Sequence, residues 1–282
     1  MEKIVHFIWD LNPLSFFNYI SVVSFIKYHP DWKIWIWRIN HISPKTWTTK
    51  EHQIDYKGPN YFPKLESHQQ IVLKDIDDLK PLFPFIERKQ LKGVHLSDYS
   101  RYAILSEYGG VYSDFDIIYL DTIEKHIEID ANFVIPYKLV GKYFPIGFIY
   151  SQKKSITLKY ILELCENNYN QKEYQSLGRK LFNNQIFTKL ISSTHHLISL
   201  NMTNFFKEKV HIIPGYTYLK YDYIQIKKFY EPGWKGENLK DCFGIHWFNG
   251  LLESKIYQND ISSKIFKNVA MNRIIQPYLQ YQ

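Results

Sequence analysis

The first 38 residues contain one strand-like run before a predicted helix and one after it, and this pattern limits the possible folds more than any other feature. Residues 3–9, KIVHFIW, and residues 32–38, WKIWIWR, are short apolar runs of residue types that favour strands. Between them, residues 15–28 carry apolar side chains near helical spacing, and a His-Pro-Asp turn at 29–31 ends the helix. A strand, a helix and a strand over this length form a βαβ unit, so we expect a parallel sheet in an α/β fold.

The rest of the chain continues as alternating helical and strand-like segments without an internal repeat or a low-complexity linker. Prolines and glycines break residues 40–90 into short, irregular pieces. Helices are predicted over 95–108, 155–167, 176–191 and about 260–281, and strands within 111–120, 132–150, 210–213 and 242–248. Gly109-Gly110 is expected to end the 95–108 helix. We therefore expect one domain over residues 1–282.

Composition and charge exclude several classes of protein. Hydrophobic residues make up 45% of the chain and charged residues 22%, which fits a globular domain with a substantial core. The net charge is +7, but the lysines and arginines are dispersed, so we expect no nucleic-acid partner. Cys165 and Cys242 have neither zinc nor disulfide spacing and are expected to be buried thiols.

Targeting signals are also missing from the pattern. The first ten residues lack the segments of a signal peptide, and no uninterrupted apolar run reaches about 18 residues. These features predict a cytoplasmic protein without a transmembrane segment.

An acidic pair, Asp114 and Asp116, interrupts an apolar strand-like segment at residues 111–120. In an extended segment, residues two apart point to the same side, so the two carboxylates would face each other. Their repulsion would favour a divalent cation between them, and hard oxygen ligands favour Mg²⁺ or Mn²⁺. An Asp-x-Asp triplet alone is a weak signal, because such triplets also occur in solvated turns.

The longer stretch at residues 96–116, LSDYSRYAILSEYGGVYSDFD, resembles the signature of glycosyltransferase family 32, the sugar-transferase region with a DXD motif. This wider group includes capsular polysaccharide enzymes and Golgi mannosyl-, galactosyl- and N-acetylglucosaminyltransferases. Residues 3–9 look like the family's first strand, and HPDW at 29–32 resembles the Asn-Pro-Asp turn before its second strand. The resemblance is strong over about 1–40 and 95–120 and weak elsewhere.

The resemblance implies a GT-A glycosyltransferase fold, with a Rossmann-like, mostly parallel central sheet flanked by helices. It also implies a retaining hexosyltransferase that depends on a divalent metal, Mn²⁺ or Mg²⁺. Residues 1–125 would form the half that binds the nucleotide sugar, and residues 126–282 the acceptor half with a closing C-terminal segment. Polysaccharide biosynthesis is the process that this family suggests.

Individual roles follow from the same resemblance. Asp116 would bind the metal directly, and Asp114 would contact both the donor and the metal shell. Asp98 and Arg101 would hold the transferred sugar and the phosphates, and they could pair with each other because they are three residues apart on a helix. Tyr112 would contact the phosphate or sugar, and Trp9 would stack on the base.

Each of these residues also has a purely structural interpretation, in which Trp9 and Tyr112 pack in the core and Asp98 and Arg101 form a structural ion pair.

A late segment, GIHWFNG at 244–250, resembles the His-containing segment that closes the metal and diphosphate site in these enzymes. The resemblance implies that His246 completes the metal shell, and that Asn249 or Trp247 reaches the diphosphate. The family often has a Ser-Trp pair slightly further on, whereas this chain reads LLESK at 251–255. His246 is therefore a third metal ligand only by the resemblance.

The expected partners are a nucleotide-sugar donor, with a UDP-hexose favoured over GDP-mannose, and a glycan or glycolipid acceptor. Residues 40–90 and 170–240 would bind the acceptor. A bacterial or viral enzyme of the cytosol, with possible peripheral contact to a membrane, fits these features.

Two other functions remain open at this stage. One is a catalytically inactive protein that binds nucleotide sugars or glycans. The other is a nucleotidyl- or phosphotransferase, although the chain has no phosphate-binding glycine motif.

Overall fold

The structure, a computed structural model, describes residues 2–40, 54–128, 130–173, 175–182, 203–205, 208–236, 238–260 and 268–281. Its N-terminal unit consists of strand β1 (Ile4–Trp9), helix α1 (Phe16–Tyr28) and strand β2 (Lys33–Arg38). The Ser15 side chain caps α1 by accepting a hydrogen bond from the Asn18 N–H. Strands β1 and β2 pair in parallel, which confirms the predicted βαβ unit.

Eight further strands follow along the described parts of the chain. They are β3 (Ile71–Asp75), β4 (Gly110–Ser113), β5 (Ile117–Tyr119), β6 (Phe133–Tyr137), β7 (Phe148–Ser151), β8 (Thr203–Phe205), β9 (Glu208–Pro214) and β10 (Gly244–His246).

The helices between these strands range from single turns to four turns. They are α2 (Phe62–Glu66), α3 (Phe85–Arg88), α4 (Gly93–Tyr108), α5 (Ile156–Asn168), α6 (Arg179–Leu181), α7 (Tyr216–Leu219), α8 (Leu252–Asn259) and α9 (Ala270–Ile275). Short 3₁₀ helices cover Ile76–Leu79, Ile123–Lys125, Gln225–Tyr230 and Gln276–Tyr281.

Eight strands form one mixed sheet in the order β3-β2-β1-β4-β7-β6-β9-β8. The pairings β3–β2, β2–β1, β1–β4 and β6–β9 are parallel, and β4–β7, β7–β6 and β9–β8 are antiparallel. Strands β5 and β10 form a separate antiparallel pair. The α/β class and the mostly parallel sheet are therefore confirmed, with antiparallel β7 joining the two parallel parts.

Buried apolar residues form a cluster on each face of the large sheet. Alternate side chains of β1, such as Phe7 and Ile8, belong to opposite clusters, as expected for a strand buried on both faces. The cluster with Phe7 includes α1 and the β5–β10 pair, and the cluster with Ile8 includes α4 and α5. Helix α1 is thus enclosed between the large sheet and the small one.

The predicted elements match the structure closely wherever the chain is described. The helices predicted over 95–108 and 155–167 appear as α4 and α5, and the predicted strands appear as β4 to β7, β9 and β10. Gly109 ends α4 with a positive φ of 67°, in the role predicted for it. Most of the helix predicted over 176–191, and the first part of that over 260–281, lie outside the described residues.

Strand β3 was missed because proline-rich neighbours obscure its pattern.

Every helix of the described ranges is too short or too polar to cross a lipid bilayer.

Candidate active site

The acidic pair lies in a turn between β4 and β5, and not in a continuous strand. The predicted extended geometry is therefore wrong, although Asp114 and Asp116 do point into a common space. Between them, the Phe115 ring is buried and packs against the rings of Phe7 and Trp9, at centroid distances of 5.0 and 4.9 Å. Because the Phe115 ring points inward and holds the turn against the sheet, the Asp114 and Asp116 carboxylates remain on the outer side of the turn.

Helix α1 fixes this turn through three buried polar side chains. The Asn18 amide donates to the Phe115 carbonyl at 3.0 Å, and the Ser24 hydroxyl accepts from the Tyr119 N–H at 2.9 Å. The Ser21 hydroxyl accepts from the indole N–H of Trp247 at 3.2 Å. Because the three polar side chains are spaced by three residues, they lie along one side of the helix. They anchor both the acidic turn and the segment that follows β10.

Strand pairing brings His246 to Asp116, although 130 positions separate them in the chain. His246 pairs with Ile117 in the β10–β5 ladder, and its Nε2 lies 3.2 Å from the Asp116 Oδ1. The Trp247 N–H donates to the Asp116 carbonyl at 2.9 Å, and the Asn249 N–H donates to the Asp116 Oδ2 at 3.0 Å. Both the main chain and the carboxylate of Asp116 are thereby held by the segment 246–249.

Asp114 is held from the other side, by α4 and β7. The Tyr112 hydroxyl donates to the Asp114 Oδ1 at 2.7 Å, and the Arg101 Nη1 lies 3.5 Å from the same oxygen. The Asp114 N–H donates to the Gly147 carbonyl at 2.8 Å. A Cβ atom on Gly147 would lie 2.6 Å from the Asp114 Oδ2, so this position leaves no room for a side chain.

The two carboxylates differ in their tendency to ionise. Burial raises the pKa of Asp114 above its usual value; Arg101 opposes this, and the nearby charge of Asp116 adds to it. Burial also raises the pKa of Asp116, but the His246 imidazole and the Asn249 N–H outweigh burial and hold that pKa below its usual range. Positive charge between the two groups would favour the ionised form of both.

Asp98 and Arg101 form a buried ion pair beside Asp114. Their closest atoms are 2.8 Å apart, and their side chains are 5% and 6% exposed. The Arg101 Nη1 also donates to the Ile146 carbonyl at 2.9 Å, and its guanidinium lies over the Tyr112 ring at 4.5 Å. Burial raises the pKa of Asp98 to about 6, against the lowering effect of Arg101. The predicted pairing on α4 is confirmed, and the pair stands at the floor of the site.

The side chains of Asp114, Asp116 and His246 could hold a metal ion together. One ligand atom from each lies within 4.8 Å of the other two. Atoms that share an octahedral cation at about 2.1 Å are roughly 3 to 4.2 Å apart, so small side-chain movements would complete the site. The two carboxylates are hard oxygen donors that suit Mn²⁺ or Mg²⁺, and the imidazole is a common ligand of divalent transition metals. The donor atoms therefore fit the predicted cofactor in type and in spacing.

These groups line one large cavity of about 1360 Å³. Trp9, Asp98, Arg101, Tyr112, Asp114, Asp116, His246 and Asn249, all predicted from the sequence, contribute to its wall. All eight residues come from the end of β1, from 98–116 or from 246–249, and the fold brings these three places together through the sheet and the β5–β10 pair. The volume is sufficient for a nucleotide sugar by the usual size of small-molecule sites.

Trp9 is half-buried at the end of β1, and its indole N–H donates to the Asn12 carbonyl at 2.9 Å. This hydrogen bond and the contact with Phe115 hold the ring in one orientation at the cavity wall. Its predicted role in stacking on a base stays a prediction.

Trp247 needs a correction, because the structure places it in the core. Its side chain is fully buried, packs against Phe17 at a centroid distance of 5.3 Å and gives its indole N–H to Ser21. It does not line the cavity, so the predicted contact with a diphosphate is wrong. Its neighbours His246 and Asn249 do line the cavity: His246 is the last residue of β10, and Asn249 lies in the turn that follows.

Lys255 was not predicted, yet it lines the same cavity. It is buried on α8, and its Nζ donates to the Asn249 Oδ1 at 2.8 Å. The sequence offered one signal: a lysine one turn into a helix that directly follows the His-containing segment. Tyr143, Gln175, Arg179, Tyr218 and Tyr223 also line the wall, and each comes from a segment whose path the sequence did not reveal.

Comparison with known proteins gives one sequence match and several structural similarities. Residues 19–134 match the family described as "glycosyltransferase sugar-binding region containing DXD motif". This range contains α4, the buried ion pair and both aspartates of the turn. No curated protein matches the chain at a significant level.

Among solved structures, the chain is similar to "PaToxG Glycosyltransferase", with 20% identity, 68% of this chain and 71% of that chain covered, and a TM-score of 0.49. It is also similar to the catalytic domain of alpha-toxin from Clostridium novyi, with 14% identity, coverage of 69% and 64%, and a TM-score of 0.40. A third similar structure is the UDP-bound glycosyltransferase domain of the YGT toxin. It is 11% identical, 59% of this chain and 62% of that chain are covered, and the TM-score is 0.39.

The chain thus spans between 62% and 71% of the length of these solved chains. The matched family region includes both carboxylates of the acidic turn, and the fold brings His246 to them. Residues 19–134 are therefore similar to the DXD-containing sugar-binding region of glycosyltransferases.

Proposed function

We propose that the chain is a retaining glycosyltransferase of the GT-A type that depends on a divalent cation. It moves a hexose from a nucleotide sugar, with UDP-sugars favoured over GDP-mannose, to a glycan or glycolipid acceptor. The observation that carries this proposal is the convergence of Asp114, Asp116 and His246 at the wall of the large cavity. Their chemistry suits a cation that would also bind a diphosphate.

Asp114, Asp116 and His246 would hold Mn²⁺ or Mg²⁺ through two carboxylates and a neutral imidazole. When bound, the cation stabilises the negative charge on the departing nucleoside diphosphate. The chain prepares these ligands in advance: Tyr112 and the Asn249 N–H each occupy one carboxylate oxygen. The remaining oxygens and the imidazole keep the orientation that the cation requires.

Arg101 and Lys255 are two buried positive groups in the wall of the cavity. Arg101 is held by Asp98 and the Ile146 carbonyl, and Lys255 is held by the Asn249 side chain. Because both are buried and already oriented, they can bind donor phosphate oxygens with little further ordering. Asp98 holds Arg101 in place and leaves its own second oxygen beside the cavity wall, where a sugar hydroxyl could donate to it.

The cavity wall carries groups that suit two different ligands. Trp9, with its fixed ring, offers a flat surface for the base of the donor. Tyr143, Tyr218 and Tyr223 also line the wall, together with Arg179, whose guanidinium stacks on the Tyr143 ring at 5.0 Å. Aromatic faces and a cation suit a sugar acceptor that carries an anionic group. Most of these residues belong to the segment 170–240 that was predicted for the acceptor.

A donor screen tests the proposal directly. The protein is incubated with Mn²⁺ and each nucleotide sugar in turn, and the release of free UDP or GDP is measured. Asp116→Asn is expected to abolish release and to weaken Mn²⁺ binding, measured separately by calorimetry without donor. Asp78→Asn makes the same chemical change at an exposed position of the Ile76–Leu79 turn and should leave both readouts unchanged.

The alternative function, binding without catalysis, predicts a different result in the same assay. A nucleotide sugar would bind in the presence of Mn²⁺, yet no nucleoside diphosphate would be released with any donor or acceptor. Wild-type turnover and wild-type Mn²⁺ affinity in Asp116→Asn would contradict the proposed metal site itself.

A further inference from the structure

Two loops next to the cavity carry the most exposed large apolar side chains in the described part of the chain. In the first loop, Val140 is 76% exposed and Leu139 62%. In the second, Ile224 is 60% exposed and Tyr223 54%, and nearby Tyr216 is also 54% exposed. Other large apolar side chains of the described ranges are at most 52% exposed. Scattered single cases are normal on a surface, but a concentration in two loops indicates an interaction site.

The first loop is a tight hairpin that presents its apolar residues at the tip. Lys138 and Tyr143 exchange two backbone hydrogen bonds of 2.9 and 3.2 Å, and the Lys142 N–H donates to the Leu139 carbonyl at 3.2 Å. Gly141 and Lys142 close the turn with positive φ values of 91° and 49°. Leu139 and Val140 therefore stand at the end of a structured hairpin, where they contribute nothing to the core.

The second loop lies beside the first, at the mouth of the cavity. The Lys138 Nζ donates to the Leu219 carbonyl at 3.4 Å, and the Gly215 N–H donates to the Tyr137 carbonyl at 2.7 Å. Tyr223 and Ile224 follow this connection and line the cavity, as does Tyr143 at the base of the hairpin. We call Leu139, Val140, Tyr223 and Ile224 the apolar rim.

The charges around the apolar rim have predominantly one sign. Residues 138–143 and 214–228 contain five lysines, at positions 138, 142, 220, 227 and 228, and one acidic residue, Asp222. Lys142 and Lys228 are exposed, whereas Lys227 is paired with Glu253 at 2.8 Å. Lys138 is buried and donates to the Leu219 carbonyl, and Lys220 donates to the Asn238 carbonyl. Exposed apolar side chains with lysines around them are the combination that binds at the surface of an anionic membrane.

We propose that the apolar rim docks this protein onto an anionic lipid bilayer, with the mouth of the cavity next to the membrane surface. Leu139 and Val140 insert among the acyl chains near the headgroups, and the exposed Lys142 and Lys228 bind the lipid phosphates. The bilayer is the occupant that matches both features, since an uncharged apolar partner would offer no counter-ions to these two exposed lysines. This docking does not depend on the transfer reaction, and it would bring the cavity to lipid-linked acceptors.

Vesicle sedimentation tests the docking. The full chain is mixed with vesicles of phosphatidylcholine alone, or of phosphatidylcholine with phosphatidylglycerol, and the bound fraction is measured. We expect at least about tenfold tighter binding to the anionic vesicles, and weaker binding when salt is added. Leu139→Ser with Val140→Ser should reduce this binding by about tenfold. The matched control is Leu82→Ser with Ile156→Ser, two exposed apolar positions away from the cavity.

Release of nucleoside diphosphate from a donor in solution separates this proposal from the proposed function. The Leu139→Ser, Val140→Ser variant should keep that activity, because neither residue lines the cavity. Failure to bind vesicles with normal donor turnover would overturn the docking alone. Equal binding to both kinds of vesicle, or a wild-type affinity in the rim variant, would also overturn it.

A fluorescent label at the hairpin gives a second, local measurement. Cys165 and Cys242 are buried, so an environment-sensitive dye would react with the introduced thiol of a Val140→Cys variant. A blue shift of the dye on addition of anionic vesicles, and none in a labelled Leu82→Cys variant, is the expected result. An unchanged emission of the dye at position 140 while vesicles are bound would contradict the proposal. Self-association of the protein that is lost in the Leu139→Ser, Val140→Ser variant would also contradict it.

Discussion

At the scale of single residues, two glycines define the site as much as the charged side chains do. A Cβ on Gly147 would meet the Asp114 Oδ2 at 2.6 Å, and a Cβ on Gly178 would meet the Asp98 Oδ2 at 2.4 Å. Both distances are well below van der Waals contact, and in each case the neighbour is a carboxylate with a fixed hydrogen-bonding position. Neither glycine stood out in the sequence, because the need for a residue without a side chain at each position arises from a carboxylate far away in the chain.

We predict that Gly147→Ala displaces the Asp114 carboxylate and lowers turnover by at least about tenfold, because sub-ångström positions matter at such a site. Thermal unfolding should change little, since the Gly147 φ is one that alanine can adopt. Gly233→Ala is the control: no heavy atom lies within 4 Å of its Cβ, but its φ of 85° should cost about 1 kcal/mol of stability without loss of turnover. Equal turnover of Gly147→Ala and the wild type would disprove the close approach.

His6 is a buried residue whose pH dependence can be derived from its contacts. The Trp37 indole N–H donates to the His6 Nδ1 at 3.2 Å, so the proton is on Nε2, which donates to the Gly109 carbonyl at 2.8 Å. Burial lowers the pKa of His6 to about 4, and the carbonyl only partly opposes this. A protonated ring would place a second N–H against the indole N–H.

We predict that His6 makes the protein less stable in acid. The folded pKa is below the unfolded value of about 6.5, so its stabilising contribution is complete above pH 6.5 and is lost as pH falls towards 4. The loss should approach about 3 kcal/mol. Urea unfolding across this range should show a smaller pH dependence in His6→Gln than in the wild type, whereas His68→Gln should match the wild type. If the free energy of unfolding had the same pH dependence in the wild type and in His6→Gln, His6 would not be the source of the acid sensitivity.

At the scale of helices and strands, the separate β5–β10 pair explains how the late segment reaches the acidic turn. Its ladder opposes Ile117 to His246 and Tyr119 to Gly244. A Cβ on Gly244 would lie 3.0 Å from the Ile117 side chain, so the two strands approach closely at this end. The tight pairing, and the hydrogen bonds from α1, hold Asp116 and His246 at a fixed separation. The site is therefore assembled by secondary structure rather than by a flexible loop.

Helix α5 starts on a buried carboxylate from another strand. Glu208 of β9 accepts hydrogen bonds from the Ser155 hydroxyl at 2.7 Å and from the N–H groups of Ile156 and Thr157 at 2.6 and 2.9 Å. Burial raises the pKa of Glu208, but these hydrogen bonds outweigh it and hold the pKa below its usual value. The carboxylate also faces the positive end of the helix dipole.

We predict that Glu208→Gln destabilises the protein by about 1 to 2 kcal/mol, because a neutral amide accepts fewer and weaker hydrogen bonds. Donor turnover should persist, since Glu208 is outside the cavity. Glu163→Gln makes the same change at an exposed position of α5 and should leave the urea midpoint within experimental error. A Glu208→Gln midpoint equal to that of Glu163→Gln would show that the cap contributes nothing.

The elements near the N-terminus were predictable because their local pattern and their tertiary setting agree. Strands β1 and β2 are largely apolar and lie inside the sheet, and Gly109 ends α4 where only a residue tolerant of positive φ fits well. Strand β3 is different: only Ile76 and Leu79, just after it, are buried, and its own residues are exposed or half-buried. An edge strand of this kind gains its conformation from pairing with β2, which no local pattern reports.

At the scale of the whole molecule, the cavity joins the two halves of the chain. The predicted donor half, 1–125, supplies Trp9, the buried ion pair and the acidic turn, and the other half supplies His246, Asn249 and Lys255. A ligand that touches both sets links them, so its binding energy adds to the stability of the folded chain. This division into halves remains a prediction for donor and acceptor, while the shared cavity is a feature of the fold.

We predict that Mn²⁺ with UDP raises the midpoint of thermal unfolding by several degrees. At one hundred times the dissociation constant, a ligand specific to the folded state adds about 2.7 kcal/mol, and each kcal/mol corresponds to roughly 2–4 °C for a chain of this size. A chelator should reverse the shift, and the Asp116→Asn variant should show almost none. A shift with UDP that is unaffected by the chelator would contradict a cation shared between protein and diphosphate.

The sequence by itself determined the α/β class, the βαβ beginning, the end of α4 and the identity of the acidic pair. All of these depend on residues close together in the chain, where period, capping and turn signals act. Tertiary structure decided which distant side chains meet: His246 with Asp116, and Trp247 with Ser21 in the core. Contacts across more than a hundred residues depend on how strands and helices pack, and that packing leaves no local trace in the sequence.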